Sequence, residues 1–173
     1  AASLIKYFTK NKVNKNLLAI LIKKIGSDLK LFFYKQGFLK DLKTVNVFRR
    51  KYNLHFLLVY PNIRCSTKHV YSRVKKYSSK SKQSPNKIND KNKYINFLVK
   101  KNNDLQSIVE NRYPVIKKLI IEIDQQKECY FSRMTGSGSV CYGVFSSEKT
   151  AKASLKSIKQ KLPYLWLTVA KTV

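Results

Sequence analysis

Gly136 and Gly138 bracket a single serine between two short apolar runs, Cys129-Tyr130-Phe131 and Val140-Cys141-Tyr142-Gly143-Val144-Phe145. Glycine turns a chain tightly at no steric cost, and the β-rich residues on either side read as two strands that return on one another. Ser146 or Ser147 can then cap a helix, with Glu148 favourable in its first turn and Ala151, Leu155, Ile158 and Leu162 as its apolar stripe. Leu165 to Val169 closes as a further strand. Upstream, His55-Phe56-Leu57-Leu58-Val59-Tyr60 is the clearest strand, ended by Pro61-Asn62, and Ser66 or Thr67 caps a helix carrying Val70, Tyr71 and Val74. One more helix runs through Ile108 and Val109 and stops before Pro114, and another carries Val115, Leu119, Ile120 and Ile123. A strand, helices, two strands, a helix and a strand predict an α+β sandwich, with helices on one face of an antiparallel sheet.

The first fifty residues follow a different pattern. Leu4, Tyr7 and Phe8 share a helical face, Asn11 to Asn16 is a polar break, and Leu17, Leu18, Leu21, Ile22 and Ile25 repeat at helical spacing. Gly26 stands where a left-handed cap would end that helix, so Asp28 is expected at a helix-to-strand junction, with Leu31-Phe32-Phe33-Tyr34 continuing as a buried run. From Lys75 to Lys93 the composition turns to Lys, Ser, Asn and Gln with Pro85, and reads as a flexible basic insertion with nothing to bury. Ordered sequence resumes with Tyr94 to Val99 and Asn103-Asp104-Leu105.

Thirty-six Lys+Arg against nine Asp+Glu leave a net charge of +27, enough to attract any polyanion, and a basic nucleic-acid-binding α+β module is the alternative this charge raises. The excess is nearly all lysine, however, and it is spread along the chain together with abundant Asn, Ile, Tyr and Phe. An A+T-rich coding sequence accounts for that mixture, so nucleic acid is expected to bind only non-specifically through net charge. Cys65, Cys129 and Cys141 form no C-x-x-C pair and have no histidine cluster beside them, so no metal site is expected and each reads as a small buried hydrophobe. No stretch reaches the roughly 20 apolar residues that span a bilayer, and no signal-peptide pattern opens the chain, so a cytoplasmic protein without membrane partners is expected.

The glycine turn is neither a Walker loop, which needs G-K-[ST], nor a dinucleotide fingerprint with its third glycine. Its surroundings are more specific. Arg133-Met134-Thr135-Gly136-Ser137-Gly138 resembles the third motif of the GHMP kinase superfamily, and three further landmarks occur in order. Ile25-Gly26-Ser27-Asp28-Leu29 resembles I-G-[AS]-D-V; Pro61 with Ser66-Thr67 and Tyr71 resembles P-x(5)-T-x(3)-F; Asn103-Asp104-Leu105 matches N-D-L. Within the superfamily this order is similar to the branch that phosphorylates 4-diphosphocytidyl-2-C-methyl-D-erythritol, rather than to mevalonate or homoserine kinases. The resemblance covers nearly the whole chain except the basic loop.

The resemblance implies a ferredoxin-like C-terminal α/β sandwich over residues 53–173, preceded over 1–52 by a remnant of the N-terminal domain. It implies ATP and Mg2+ as cofactors and a cytidine diphosphate-linked methylerythritol as the small-molecule substrate. Asp28 corresponds to the catalytic aspartate, Thr67 to a substrate-contacting threonine, and Tyr71 to the aromatic that stacks on cytosine. Thr135, Gly136, Ser137 and Gly138 form the structural glycine motif. Taken singly, these residues have plainer readings: Asp28 as a turn aspartate, Thr67 as a helix cap, Tyr71 as a core aromatic. The family's proline after the aspartate is replaced by Leu29-Lys30, and its A-K-[IV]-N and G-L-G-G-G-S-S segments have no counterpart here. Ala1 is therefore expected to stand just after the ATP-binding loop, and the 173 residues alone are expected to turn over nothing.

Overall fold

The computed structural model describes residues 15–34, 36–40, 44–48, 50–79 and 85–172. The helix anticipated around Leu4, Tyr7 and Phe8 lies outside them. The chain divides into two compact units, residues 1–51 with 173, and residues 52–172.

In the first unit, helix α1 spans Lys15–Ile25 and so begins within the expected polar break. The Gly26 amide bonds to the Ile22 carbonyl at 3.0 Å, but its φ of 129° and ψ of 158° lie in an extended region open essentially to glycine alone, not in the left-handed helical cap expected. The next element is not a strand. Ser27–Phe33 forms a 3₁₀ helix that buries Leu29, so Asp28 lies at a helix-to-helix junction. The apolar run Leu31-Phe32-Phe33 suits either element, and periodicity could not separate them at that length. Strands β1 (Gly37–Lys40) and β2 (Thr44–Val47) then pair antiparallel with Gly37 opposite Val47, a hairpin that no alternation in the sequence announced.

The second unit begins with β3 (His55–Tyr60) and α2 (Thr67–Ser72), continues through α3 (Lys91–Val99), α4 (Gln106–Arg112) and α5 (Pro114–Asp124), then β4 (Cys129–Met134), β5 (Cys141–Phe145), α6 (Glu148–Lys161) and β6 (Trp166–Lys171). The strand order β4-β5-β3-β6 is antiparallel throughout. Renumbered within the unit this is 2-3-1-4, the β-α-β-β-α-β arrangement expected for a ferredoxin-like sandwich.

Register decides which side chains meet. Leu57 pairs with Gly143 and Val59 with Cys141, while Met134 faces Cys141 from β4, so these residues share one face of the sheet. Leu57, Val59 and Cys141 are fully buried there, together with Ile116 and Ile123 of α5 and Ala151 and Ile158 of α6. Each large side chain in this core contributes about 1.5–3 kcal/mol of burial. Helix α6 starts as expected: Ser147 and Thr150 form a reciprocal capping box.

The opposite face is not left bare. Phe131 opposes Val144 and Arg133 opposes Tyr142 on that side, and Arg133 reaches the carbonyls of Leu98 and Val99 at 3.3 and 3.4 Å, placing the C-terminus of α3 over β4. Helices therefore flank both faces. Part of the segment taken for an unanchored loop also has structure: Pro85–Lys87 is a 3₁₀ turn, Ile88 is buried with its carbonyl accepting from the Tyr52 hydroxyl at 3.0 Å, and Asp90 caps α3 through the Lys93 amide.

Candidate functional site

Helix α2 is only six residues long and is fixed at its start by the Ser66 hydroxyl, which accepts from the His69 amide at 3.3 Å. Its first residue, Thr67, lies 2.9 Å hydroxyl to hydroxyl from Ser137, so two landmarks 70 positions apart are joined directly. Tyr71 stands one turn later on the same side, which is the spacing that puts i and i+4 on one face. The residue is 51% exposed, so the core reading of Tyr71 does not hold.

Asn103 explains why the N-D-L string accompanies the glycine turn. Its amide nitrogen donates to the carbonyls of Met134 at 3.0 Å and Gly136 at 2.8 Å, and its oxygen accepts from the Leu105 amide at 3.0 Å. One side chain thus uses both ends of its amide to clamp the turn onto the start of α4. The Gln106 side-chain oxygen also accepts from the Met134 amide at 3.0 Å. Arg133 and Met134, read from sequence as part of the approach to the turn, are the last two residues of β4.

Within the turn, the Thr135 amide meets the Val140 carbonyl at 2.9 Å, and the Gly138 amide meets the Thr135 carbonyl at 3.1 Å. The two glycines do different work. Gly136, at φ +54°, has open space where a Cβ would stand; Gly138, at φ +88°, would bring a Cβ to 2.9 Å from Met134 Sδ and 3.3 Å from Cys65 Sγ. Gly136 faces solvent and Gly138 lets the turn press on the core.

These elements border a cleft of about 400 Å³ whose walls include Tyr71, Tyr77, Asn103, Asp104, Arg133 and Tyr142. Burial pushes the Tyr142 hydroxyl pKa up, with Arg133 opposing the shift, so Tyr142 presents a neutral phenol. The Asp104 carboxyl is held below the usual range by the hydroxyl and amide of Ser78. The guanidinium of Arg133 lies 4.8 Å from the Phe131 ring centre and donates to the end of α3, so it is held in place on two sides. A wall of aromatic faces, one carboxylate and one guanidinium suits a flat ring bearing polar groups.

Tyr71, Thr135 and Gly136 therefore line one cleft, and Thr67 and Ser137, next to them in the helix and the turn, are bonded to each other. Asp28 belongs to the first unit, in the 3₁₀ helix, and its side chain lies outside the described residues. Tyr77, Arg133, Asn103 and Tyr142 were not singled out as site residues from the sequence, although N-D-L and R-M flagged two of them as landmarks. Among the described residues no group of three His, Cys, Asp or Glu could hold a metal ion, so no Mg2+ ligand is assigned to them. Of the three cysteines expected to be buried, only Cys141 is; Cys65 and Cys129 are partly buried against the core, and burial lifts Cys141 to about 12 and Cys129 to about 11. No described helix is long and apolar enough to cross a membrane.

The ferredoxin-like sandwich carries a glycine turn clamped by Asn103, and residues 91–163 match the family model described as GHMP kinases C terminal. Over those residues the chain has that family's C-terminal domain. More narrowly, it is 31% identical over 177 residues to a 4-diphosphocytidyl-2-C-methyl-D-erythritol kinase of Pelagibacter ubique, covering 100% of this chain and 62% of the relative. A kinase of the same name from Wolbachia pipientis is 37% identical over 122 residues, 68% of this chain and 41% of that protein. The chain thus spans about three fifths or less of these relatives. A crystal structure of 4-(cytidine 5'-diphospho)-2C-methyl-D-erythritol kinase superposes with a TM-score of 0.63 at 15% identity, covering 98% of this chain and 61% of the other. A homoserine kinase from Cytophaga hutchinsonii gives 0.50 at 16% identity.

Proposed function

We propose that the protein is an ATP-dependent kinase that phosphorylates the 2-hydroxyl of 4-diphosphocytidyl-2-C-methyl-D-erythritol, in the cytoplasm, for non-mevalonate isoprenoid precursor synthesis. The observation that carries this reading is the meeting of three separate landmarks, Tyr71, Asn103 with Asp104, and Arg133 to Gly136, around one cleft, with Thr67 bonded to Ser137 of the same turn. Kinship with kinases of that substrate supports it, whereas nothing beyond net charge favours the nucleic-acid alternative.

On this reading residues 1–52 belong with the N-terminal domain of the kinase and 53–173 with the C-terminal one. Tyr71 stacks on the cytosine ring, Thr67 contacts the substrate with its hydroxyl, and the turn from Thr135 to Gly138 supports both from behind. Asp28 accepts the proton of the attacking hydroxyl. Phosphoryl transfer asks a protein chiefly to position groups and stabilise charge, so one carboxylate near the nucleophile suffices for proton removal. ATP supplies the phosphoryl group and Mg2+ accompanies it; no cluster of metal ligands occurs among the described residues, and no step is assigned through either group.

The test is phosphorus NMR of the reaction of the whole gene product with ATP and this substrate. A new phosphomonoester on the 2-position is the expected result. An unchanged substrate, with phosphorylation of homoserine or another alcohol instead, would overturn the assignment.

A further inference from the structure

Helix α2 carries Thr67 and Tyr71, yet its six residues cannot hold a helix on backbone bonds alone, since isolated helices shorter than about 12 residues are marginal in water. Its setting comes from what grips it. Val70 is buried in the main core, and the Thr67 hydroxyl meets Ser137 of the glycine turn. A third grip comes from α4, whose last residue, Arg112, bonds through a terminal guanidinium nitrogen to His69 Nε2, 43 positions away. Arginine can only donate, so His69 Nε2 is the acceptor and its imidazole is neutral.

Arg112 is itself aimed. Its Nε donates to the Tyr113 hydroxyl at 3.1 Å, and its guanidinium carbon lies 5.5 Å from the centre of that ring. Tyr113 packs against the main core, and its amide bonds to the Val109 carbonyl at 2.8 Å. Burial raises the Cys65 thiol pKa and Arg112 opposes that rise, so the guanidinium also stands near the segment that leads into α2. A path of contacts thus runs from the core through Tyr113 and Arg112 to His69, which is two residues from Thr67 and two from Tyr71. We infer that Arg112 and His69 are positioning residues for the proposed reaction: their bond fixes the setting of α2, and with it the angle at which Thr67 and Tyr71 meet the cytidine diphosphate substrate. This deepens the proposed function and rests on it, since Thr67 and Tyr71 are the substrate contacts there. Neither positioning residue touches the substrate; Arg112 acts through His69, and His69 through the helix. The planar fork of arginine reaches Tyr113 and His69 at once, which a lysine ammonium does not reproduce.

The experiment is steady-state ADP release by the full-length gene product, comparing wild type with R112A, R112K, H69A, H69Q, the double variant R112A/H69A and Y71A. One such bond is worth about 2- to 10-fold, so R112A and H69A should each raise KM for the cytidine substrate by that factor, with kcat and KM for ATP unchanged. H69Q keeps a side-chain acceptor and should recover most of the loss, whereas R112K should not. The double variant should be no worse than either single one, because each already breaks the same bond. Arg112 is exposed, so its variants should keep the wild-type thermal midpoint. An R112A effect without an H69A effect, or effects that multiply in the double variant, would place Arg112 on the substrate itself and overturn the inference. Thermal midpoints that fall in step with the KM changes would assign the pair to folding alone, which also overturns it. If Y71A raises KM while R112A and H69A do not, the inference is overturned and the role of Tyr71 stands. If Y71A leaves KM unaltered, the reading of the cleft fails and the inference with it.

Discussion

Gly136 and Gly138 stand two residues apart in one turn, both at positive φ, and their environments predict unequal costs for the same substitution. An alanine at either position must adopt a left-handed backbone, at about 1–2 kcal/mol. At Gly136 nothing lies within 4 Å of the new methyl, so that is the whole cost. At Gly138 the methyl would stand 2.9 Å from Met134 Sδ, 3.3 Å from Cys65 Sγ and 3.4 Å from Val109 Cγ1. Met134 and Val109 are each 1% exposed inside the main core, so the sulfur cannot withdraw without displacing packed neighbours. Overpacking of this kind adds about 1–3 kcal/mol, which puts G138A about 2–5 kcal/mol below wild type. Urea unfolding followed by the fluorescence of the single tryptophan, Trp166 in β6, measures both variants. With a slope of about 2 kcal/mol per molar, the G138A midpoint should fall by roughly 1–2.5 M and the G136A midpoint by roughly 0.5–1 M. Equal losses, or a larger one for G136A, would refute the claim that Gly138 is required for close approach to the core.

Asn103→Ala removes the donors to the Met134 and Gly136 carbonyls and should cost about 1–2 kcal/mol, with faster amide exchange confined to residues 135–140. Ser147→Ala opens the capping box of α6 and should cost about 1 kcal/mol by the same urea assay, with Ser147→Asp restoring most of it. The thiols give a pH dependence. Cys141 and Cys129 are raised on folding from 9.0 to about 12 and about 11, first by burial, so below pH 9 both states hold the proton and stability is unaffected. Above pH 9 the unfolded chain releases protons that the folded one keeps, so these two groups lower stability progressively as pH rises from 9 towards 11 and 12. Replacing both by alanine should flatten that part of the pH–stability curve, and in the folded wild type at pH 8 neither thiol should react readily with a disulfide reagent.

What the sequence disclosed was what local pattern controls. The strand His55–Tyr60, the return at Gly136 to Gly138, and the stripes of α5 and α6 follow from alternation, glycine and helical spacing, all within a dozen residues. The misreadings share another cause. Leu31-Phe32-Phe33 is apolar enough for a strand, and only its surroundings make it a 3₁₀ helix. Ile88 and Ser78 sit in lysine- and serine-rich sequence that looks unanchored, because their partners, Tyr52 and Asp104, are 36 and 26 residues away. In the site, motif order pointed to Thr67, Tyr71 and the turn, but the Ser78–Asp104 tie and the clamp by Asn103 depend on bonds between distant segments that no spacing encodes.

The proposed function assigns proton removal to Asp28 and base recognition to Tyr71. Steady-state ADP release by the whole gene product, with wild type compared against D28N and Y71A, separates the two roles. D28N should lose about 10²- to 10⁴-fold in kcat with KM for the cytidine substrate little changed, as for loss of a general base. Y71A should raise that KM about 5- to 100-fold and leave KM for ATP unchanged. A D28N enzyme that keeps its kcat, or a Y71A enzyme with an unaltered KM, would contradict this division of labour.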